Sequence, residues 1–264
     1  KQNQQIVLNY ELPLSKIPFL GFVKANYSCT GDYSWQRASL SMQSIPIDGT
    51  FYNLGNTIQN AASHKLNTSL NMDTFYKYIG LTKTAKKPAA KPAVAPKPGE
   101  KIVNTAQPAA AGGNVFVDGL IGFVTSIKTV QINYTDNSGT VLPGYLPGIG
   151  FLGTSRPTVG FVLGSQDDVR FEAAKNGWLT TYPEFNQNFT QVQNKLLNFT
   201  ANMDLFPDFK IDLTADRNYS ENYSEQFDVT NGQYNSRSPY TFGNFSISTV
   251  LIKTAFSTSD ENGS

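Results

Sequence analysis

The segment VKANYSCTGDYSWQ, residues 23–36, alternates strictly between two kinds of side chain. Its odd positions carry apolar, aromatic or small residues, whereas its even positions are polar throughout. Because successive side chains of a β-strand point to opposite faces, this period of two predicts a long strand with one apolar and one polar face. Such a strand needs an apolar environment along one side over its whole length.

The same alternation recurs along the chain and predicts an all-β fold. Aromatic residues make up 12% of the chain, with 13 Tyr and 18 Phe, and such residues favour strands. Several predicted strands run for about 10–15 residues, whereas a typical strand has ~5–6. Besides residues 23–36 we predict six strands, at residues 6–12, 64–73, 130–135, 197–205, 209–219 and 242–249. Their length and alternation favour strands that cross an apolar layer ~25 Å thick, as in a transmembrane β-barrel.

The polar sides of these strands are rich in Asn, Ser, Thr and Asp rather than in Lys and Glu. That composition suits a wet and nearly neutral interior. In a soluble extracellular β-sandwich the polar side would meet bulk water, and a second sheet would cover the apolar side. This soluble fold is the alternative interpretation of the alternation.

The connections between the predicted strands divide the chain into three regions. These are residues 1–81 with barrel strands 1–3, residues 82–113 as a Lys-, Ala- and Pro-rich flexible periplasmic tether, and residues 114–264 with barrel strands 4–7 and a long outer loop at 136–193. A tight turn is predicted at 206–208, whereas the longest loops fall at the opposite end, as in outer-membrane barrels. One short loop helix is predicted within residues 165–178, with Gly177 at its end.

The sequence offers little support for catalysis or for nucleic-acid binding. With 21 Lys and Arg against 20 Asp and Glu, the net charge of +1 lacks the clustered excess of base that nucleic acids require. GIGFLG, residues 148–153, has the letters of a dinucleotide-binding motif, but prolines on both sides exclude the strand and helix that this motif needs. His64 is the only histidine and has no suitably spaced metal-ligand partner. We therefore expect no enzymatic activity, no metal and no cofactor.

Six longer strings of sequence carry a resemblance to a known family. They are GDYSWQRA (31–38), LGNTIQNA (54–61), LPGYLPGIGFLG (142–153), GFVLGSQD (160–167), AAKNGWLT (173–180) and IDLTADRNYSENYSE (211–225). In this order they resemble the SprA/Sov family. Members of that family form the outer-membrane translocon of the bacterial type IX secretion system, which gliding motility also requires in some Bacteroidota.

The resemblance implies a very large transmembrane antiparallel β-barrel in the bacterial outer membrane, with a wide protein-conducting lumen. Family members work with a plug protein and with PorV, a shuttle barrel that collects secreted proteins bearing a C-terminal sorting domain. Family chains are many times longer, and seven strands cannot close such a pore. Because unpaired strand edges are not tolerated in lipid, we expect this chain to be a segment that pairs with the remaining strands of the barrel.

The alternation assigns candidate residues to each side of the expected barrel wall. The lipid-facing candidates are Val23, Ala25, Tyr27, Tyr33, Trp35, Leu197, Phe199, Leu213 and Tyr219. The lumen-facing candidates are Asn26, Ser28, Thr30, Asn67, Asn71, Thr200, Asn202, Asp212 and Thr214. Tyr33, Trp35 and Tyr219 are expected to form an aromatic girdle near the outer interface with outer-membrane lipid. The outer loops around residues 142–180 are expected to cap the pore or to contact PorV.

Two alternative functions share the strand pattern. A smaller porin or nutrient-transporter barrel would have the same alternation, and the number of strands in the assembled barrel separates it from the secretion channel. A soluble extracellular adhesin or glycan-binding β-sandwich would instead bury the apolar positions between two packed sheets.

Overall fold

The computed structural model describes residues 1–81, 115–150, 153–206 and 209–248. Its main feature is one antiparallel sheet of seven strands, which neighbour one another in chain order. These strands are β1 (Gln2–Leu12), β2 (Val23–Gln36), β5 (Asn56–Asn71), β6 (Ile127–Tyr145), β7 (Phe189–Phe206), β8 (Phe209–Thr230) and β9 (Gln233–Ser248). The prediction of an all-β fold is confirmed. Five of the seven predicted strands lie within these elements, whereas the prediction at 64–73 runs two residues past the end of β5 and the prediction at 242–249 ends one residue beyond the described part of β9.

The strands are longer than the alternation predicts, mostly at the end of the sheet where β2 finishes. Strand β6 continues to Tyr145 and β7 begins at Phe189, so the long loop spans 146–188 rather than the predicted 136–193. The reason lies in residues such as Thr140 and Gln191, which interrupt the apolar side of the pattern but remain paired in the sheet. We call this loop, residues 146–188, the outer loop.

Small elements connect the strands at both ends of the sheet. At the outer-loop end lie a two-stranded hairpin and two short helices: β3 (Ile45–Ile47), β4 (Thr50–Tyr52), α3 (Val159–Val162) and α4 (Arg170–Lys175). At the opposite end lie α1 (Met72–Tyr78) and α2 (Val115–Val124). The predicted loop helix is α4, which is shorter than expected and is followed by Gly177 at a φ of +68°. The predicted tether at 82–113 lies outside the described residues.

Helix α1 was not predicted, because the apolar alternation of β5 continues into Met72. The helix begins there because the side chain of Asn71 accepts a hydrogen bond of 3.0 Å from the backbone N–H of Thr74. This N-cap satisfies one of the free donors of the first turn. None of the helices in the described residues is long and apolar enough to span a membrane.

The buried core lies between the outer-loop end of the sheet and the outer loop itself. Residues of the sheet, such as Tyr33 and Leu142, pack there against residues of the loop, such as Phe161 and Leu179. Tyr33 and Phe161 meet edge to face, with ring centroids 6.2 Å apart. The core therefore covers only the outer-loop end of one face of the sheet. The uncovered part of that face is the candidate site.

Candidate functional site

The strand register sorts the candidate residues into two opposite faces of the sheet. In β2 the odd residues share a face, and pairing carries that face to the even residues of β5 and β6 and to the odd residues of β7 and β8. All nine predicted lipid-facing residues lie on this face, and all nine predicted lumen-facing residues lie on the other. The assignment of lipid to one face and lumen to the other stays a prediction.

The part of the first face beyond the outer loop is largely apolar, with Thr68 as a polar exception, and we call it the apolar belt. It comprises Leu8, Tyr10, Leu12, Val23, Ala25, Tyr27, Leu66, Leu70, Val130, Ile132, Tyr134, Leu197, Phe199, Ala201, Leu213, Ala215 and Ile247. The belt is most open near the edges of the sheet, where Leu8 is 56% and Ile247 is 59% exposed. Nearer the centre Leu66 and Leu213 are each 37% exposed, whereas Val130 and Ala201 are buried.

The height of the apolar belt matches an apolar layer of membrane dimensions. From the row of Val23 to the row of Leu8, which pairs with Cys29, the strands rise ~20 Å, at ~3.3 Å per residue. A transmembrane barrel presents an apolar band ~25 Å tall. The belt ends where charged residues begin on the same face, at Asp136, Lys195 and Arg217.

Aromatic residues lie at both ends of the belt. Near the charged end, Tyr10 pairs directly with Tyr27, and Tyr219 pairs with Phe245. At the opposite end, Phe22 lies 5.0 Å from Phe75 and 6.4 Å from Tyr78, measured between ring centroids. Rings at both edges of an apolar band are typical of membrane barrels.

The predicted aromatic girdle is partly wrong. Tyr33 is only 2% exposed, and Trp35 packs against the core and donates a hydrogen bond of 3.2 Å to the carbonyl oxygen of Pro147. Both lie under the outer loop, so neither faces the surroundings as predicted. Tyr219 is the one member of the predicted girdle at the edge of the belt.

Close backbone contact holds the outer loop on the apolar face. A Cβ atom on Gly31 would overlap the carbonyl oxygen of Leu163, so the loop requires glycine at this point of β2. The amide of Asn60 donates to the carbonyl oxygens of Phe161 at 3.2 Å and Ser165 at 2.5 Å. The outer loop thus lies on the same face as the belt. Its described residues do not cap the polar face.

A buried ion pair joins the outer loop to the sheet. Arg170 of α4 donates a hydrogen bond to the carboxylate of Glu225 in β8, whose side chain is fully buried. The same carboxylate accepts from the hydroxyls of Tyr223 at 2.8 Å, Tyr234 at 2.6 Å and Ser236. A buried charge is tolerated only when it is paired and hydrogen-bonded in this way.

The surroundings of Arg170 favour its charged form and that of its partners. Its guanidinium also donates to both oxygens of Asp168, at 2.8 and 2.7 Å, and lies 4.4 Å from the ring centroid of Phe189. Burial alone would raise the pKa of Glu225, but hydrogen bonds from Ser236, the two tyrosines and Arg170 hold that pKa below its ordinary value of 4.5. The pKa of Asp168 is likewise lowered, because its bonds to Arg170 outweigh burial.

These lowered pKa values predict that the outer loop detaches in acid. A carboxylate with a lowered pKa stabilises the folded state above its ordinary pKa, and this contribution is lost as the pH falls through the folded-state value. We expect the loop to be firmly attached at neutral pH and to loosen only below pH 4.5, the ordinary value for Glu225. The chain has two tryptophans, Trp35 in β2 and Trp178 in the outer loop itself, and both pack against the core between the sheet and the loop. Their fluorescence between pH 7 and pH 3 measures the detachment, and Glu225→Gln should largely remove the acid transition.

The opposite face of the sheet is polar along most of its length. Cross-strand hydrogen bonds join its side chains, from Asn202 to Asp212 at 2.7 Å and from Asn198 to Asp216 at 2.5 Å. Apolar and aromatic exceptions on this face are Val7, Val192, Leu196, Tyr240 and Phe242, all of them exposed. Asn71, a lumen-facing candidate, is used as the cap of α1. Among the described residues no group of three or more His, Cys, Asp or Glu side chains could hold a metal ion.

Sequence reasoning missed the Arg170–Glu225 pair. The alternation does place Tyr10 and Tyr134 on the apolar side of their predicted strands, but neither is among the lipid-facing candidates. The ion pair joins residues far apart in the chain, and no local signal identifies it. No protein-family model matches this chain, and no curated protein matches it either.

Proposed function

We propose that this chain forms part of the wall of a protein-conducting outer-membrane channel of the type IX secretion kind. The observation that carries the proposal is the sheet itself, with strands of up to 22 residues, an open apolar belt on one face and a polar surface on the other. The resemblance of its sequence strings to the SprA/Sov family favours a secretion channel over other kinds of membrane barrel. In this proposal secreted proteins with a C-terminal sorting domain pass along the polar face to the cell surface.

Lipid is the surrounding that suits the apolar belt. A sheet that leaves Leu8, Tyr10 and Ile247 more than half exposed would expose a large apolar patch to water. In a bilayer the same residues meet acyl chains, and the rings at both edges meet the headgroup region. A soluble β-sandwich would need a second layer of protein over the apolar belt. The described loops cover only the other part of this face, at the outer-loop end of the sheet.

The polar face suits a water-filled conduit. Its Asn, Ser, Thr and Asp side chains are short and largely bonded to one another across strands. Such a surface hydrates a passing polypeptide without binding any one sequence strongly. The chain carries no phosphate-binding motif, so we propose that a partner supplies the energy for transport.

The edges of the sheet favour a larger barrel. β1 and β9 are the outermost strands, and in the described residues each has a neighbour on one side only. Strand edges of 11 and 16 residues leave many backbone groups to be paired. In lipid these groups must be satisfied, and we propose that they pair with the remaining strands of the barrel. The total number of strands in that assembly separates the secretion channel from a smaller porin or transporter.

The position of the outer loop favours a partner beside the barrel over a cap on the pore. Because the loop packs on the face that also bears the belt, in this proposal it lies outside the lumen. A neighbouring membrane protein, such as a PorV-like shuttle barrel, would meet the loop from the side. The plug protein would act instead on the polar face.

Thiol labelling at two adjacent residues tests the proposed surroundings. Leu213 and Thr214 are both exposed in the described structure but lie on opposite faces of β8. In cells carrying Cys29→Ser, we expect Thr214→Cys to react with a membrane-impermeant maleimide through the aqueous lumen. We expect Leu213→Cys to react at least tenfold more slowly, because lipid excludes both the reagent and the thiolate.

Detergent-denatured samples of the same two variants are the control, since both cysteines should then react at the same rate. Equal rates at both positions in intact cells would contradict the proposed split between lipid and lumen. If the chain is instead a soluble β-sandwich, it should be extracted from the cells without detergent.

A further inference from the structure

A cavity lies at the charged edge of the apolar belt, on the same face. It has a volume of about 440 Å³, and its lining residues are Tyr134, Gln193, Lys195, Leu197, Arg217, Tyr219 and Glu221. Tyr134 and Leu197 belong to the belt, so the cavity continues directly from the apolar surface. Gln193 and Glu221 also line a second, polar cavity of about 240 Å³ towards the outer loop.

The two basic residues of this cavity, Lys195 and Arg217, form no salt bridge within the described part of the chain. The salt bridges among the described residues involve Lys128, Arg170 and Arg237, and neither Lys195 nor Arg217 takes part in one. Each lies over an aromatic ring instead. The Lys195 nitrogen is 6.0 Å from the ring centroid of Tyr219, and the Arg217 guanidinium is 5.4 Å from that of Phe245.

The carboxylates near these cations are bonded to neutral donors. Glu221 accepts a hydrogen bond from the hydroxyl of Tyr219. Asp136 accepts bonds of 3.4 Å from the hydroxyl of Tyr134 and from the amide of Gln193. Neither carboxylate forms a salt bridge with Lys195 or Arg217 among the described residues, so both cations keep N–H donors free for an anion from outside.

We propose that this cavity binds the phosphate-bearing headgroup of a membrane lipid, whose acyl chains then run along the apolar belt. The inference rests on the proposed function, because it places the belt in a bilayer. The cavity lies where the apolar belt ends, which is the height of the headgroups, and basic pockets at this height bind anionic headgroups.

Lipid binding to the complete assembly, extracted in mild detergent, tests the inference by native mass spectrometry. The probes are a lipid with a phosphomonoester headgroup, a neutral lipid with the same acyl chains, and inorganic phosphate. We expect the phosphate lipid to bind, and the double variant Lys195→Gln, Arg217→Gln to weaken that binding about 25-fold, since each basic residue contributes a factor of ~5. The control is Lys24→Gln with Lys65→Gln, which removes the same charge from the polar face and should leave lipid binding unchanged.

Each alternative outcome overturns a defined part of the inference. Equal retention of phosphate and neutral lipids, unaffected by the double variant, would show that the belt meets lipid without headgroup recognition, and the proposed function would stand. Binding of inorganic phosphate as strongly as the lipid would make the cavity a site for free anions and overturn the lipid assignment. Failure to retain any lipid, together with equal labelling at residues 213 and 214, would refute the proposed function itself.

Discussion

Replacing Arg170 by methionine is expected to detach the outer loop from the sheet. Glu225 is fully buried, and Arg170 is its only cationic partner among the described salt bridges. Removing one member of a buried ion pair leaves an uncompensated charge and costs about 3–5 kcal/mol. We expect a loss of this size in the free energy of loop attachment, measured from the fluorescence of Trp35 and Trp178 during denaturant titration.

A second ion pair in the same region provides the control. Arg237 pairs with Asp228 at 2.6 Å, but its side chain is 58% exposed. Exposed pairs contribute ~0–1 kcal/mol, so Arg237→Met should change loop attachment by less than 1 kcal/mol. Similar losses in Arg170→Met and Arg237→Met would contradict the assignment of the buried pair as the anchor of the loop. The double variant Arg170→Met, Glu225→Gln should recover part of the loss, because it removes the uncompensated charge.

Arginine at position 199 is expected to prevent stable insertion of the chain into the outer membrane. Phe199 lies in the middle of the apolar belt, paired with Ile132 and Ala215. A lipid-facing Arg near the midplane of a bilayer costs about 2–4 kcal/mol in a barrel. We expect Phe199→Arg to lower severalfold the amount of protease-resistant chain recovered in the outer-membrane fraction.

The neighbouring residue provides a matched control for this substitution. Thr200 is adjacent in β7 but lies on the polar face, opposite Gln131 and Thr214. Thr200→Arg introduces the same side chain into the proposed aqueous lumen, and recovery should stay close to that of the unmodified chain. Equal loss in both variants would indicate a general effect on the strand, and equal tolerance would argue against hydrocarbon at the belt.

The position of the outer loop determines which face of the sheet we expect each kind of partner protein to contact. A loop fixed to the sheet by Gly31 and by the Arg170–Glu225 pair lies on the same face as the apolar belt. In the proposed channel, partners that diffuse in the plane of the membrane would meet that surface, and the polar side would stay free for secreted proteins.

The local pattern of the sequence determined the strands and their two faces. Alternation depends on neighbouring residues alone, since each backbone step reverses the direction of the side chain. For this reason residues 23–36 predicted both β2 and the separate faces of Tyr27 and Ser28 without knowledge of any other strand. The register of the sheet agrees with this sorting across β2, β5, β7 and β8.

Only the tertiary structure decided which part of the apolar face is open and which part is covered. Tyr33 and Tyr27 follow the same alternation, yet Tyr33 is buried under Phe161, which lies 128 positions later in the chain. Glu225 likewise becomes an anchor only because α4 brings Arg170 to it across 55 positions. Burial and ion pairing depend on contacts between distant segments, and an alternating pattern carries no information about which distant segment will arrive.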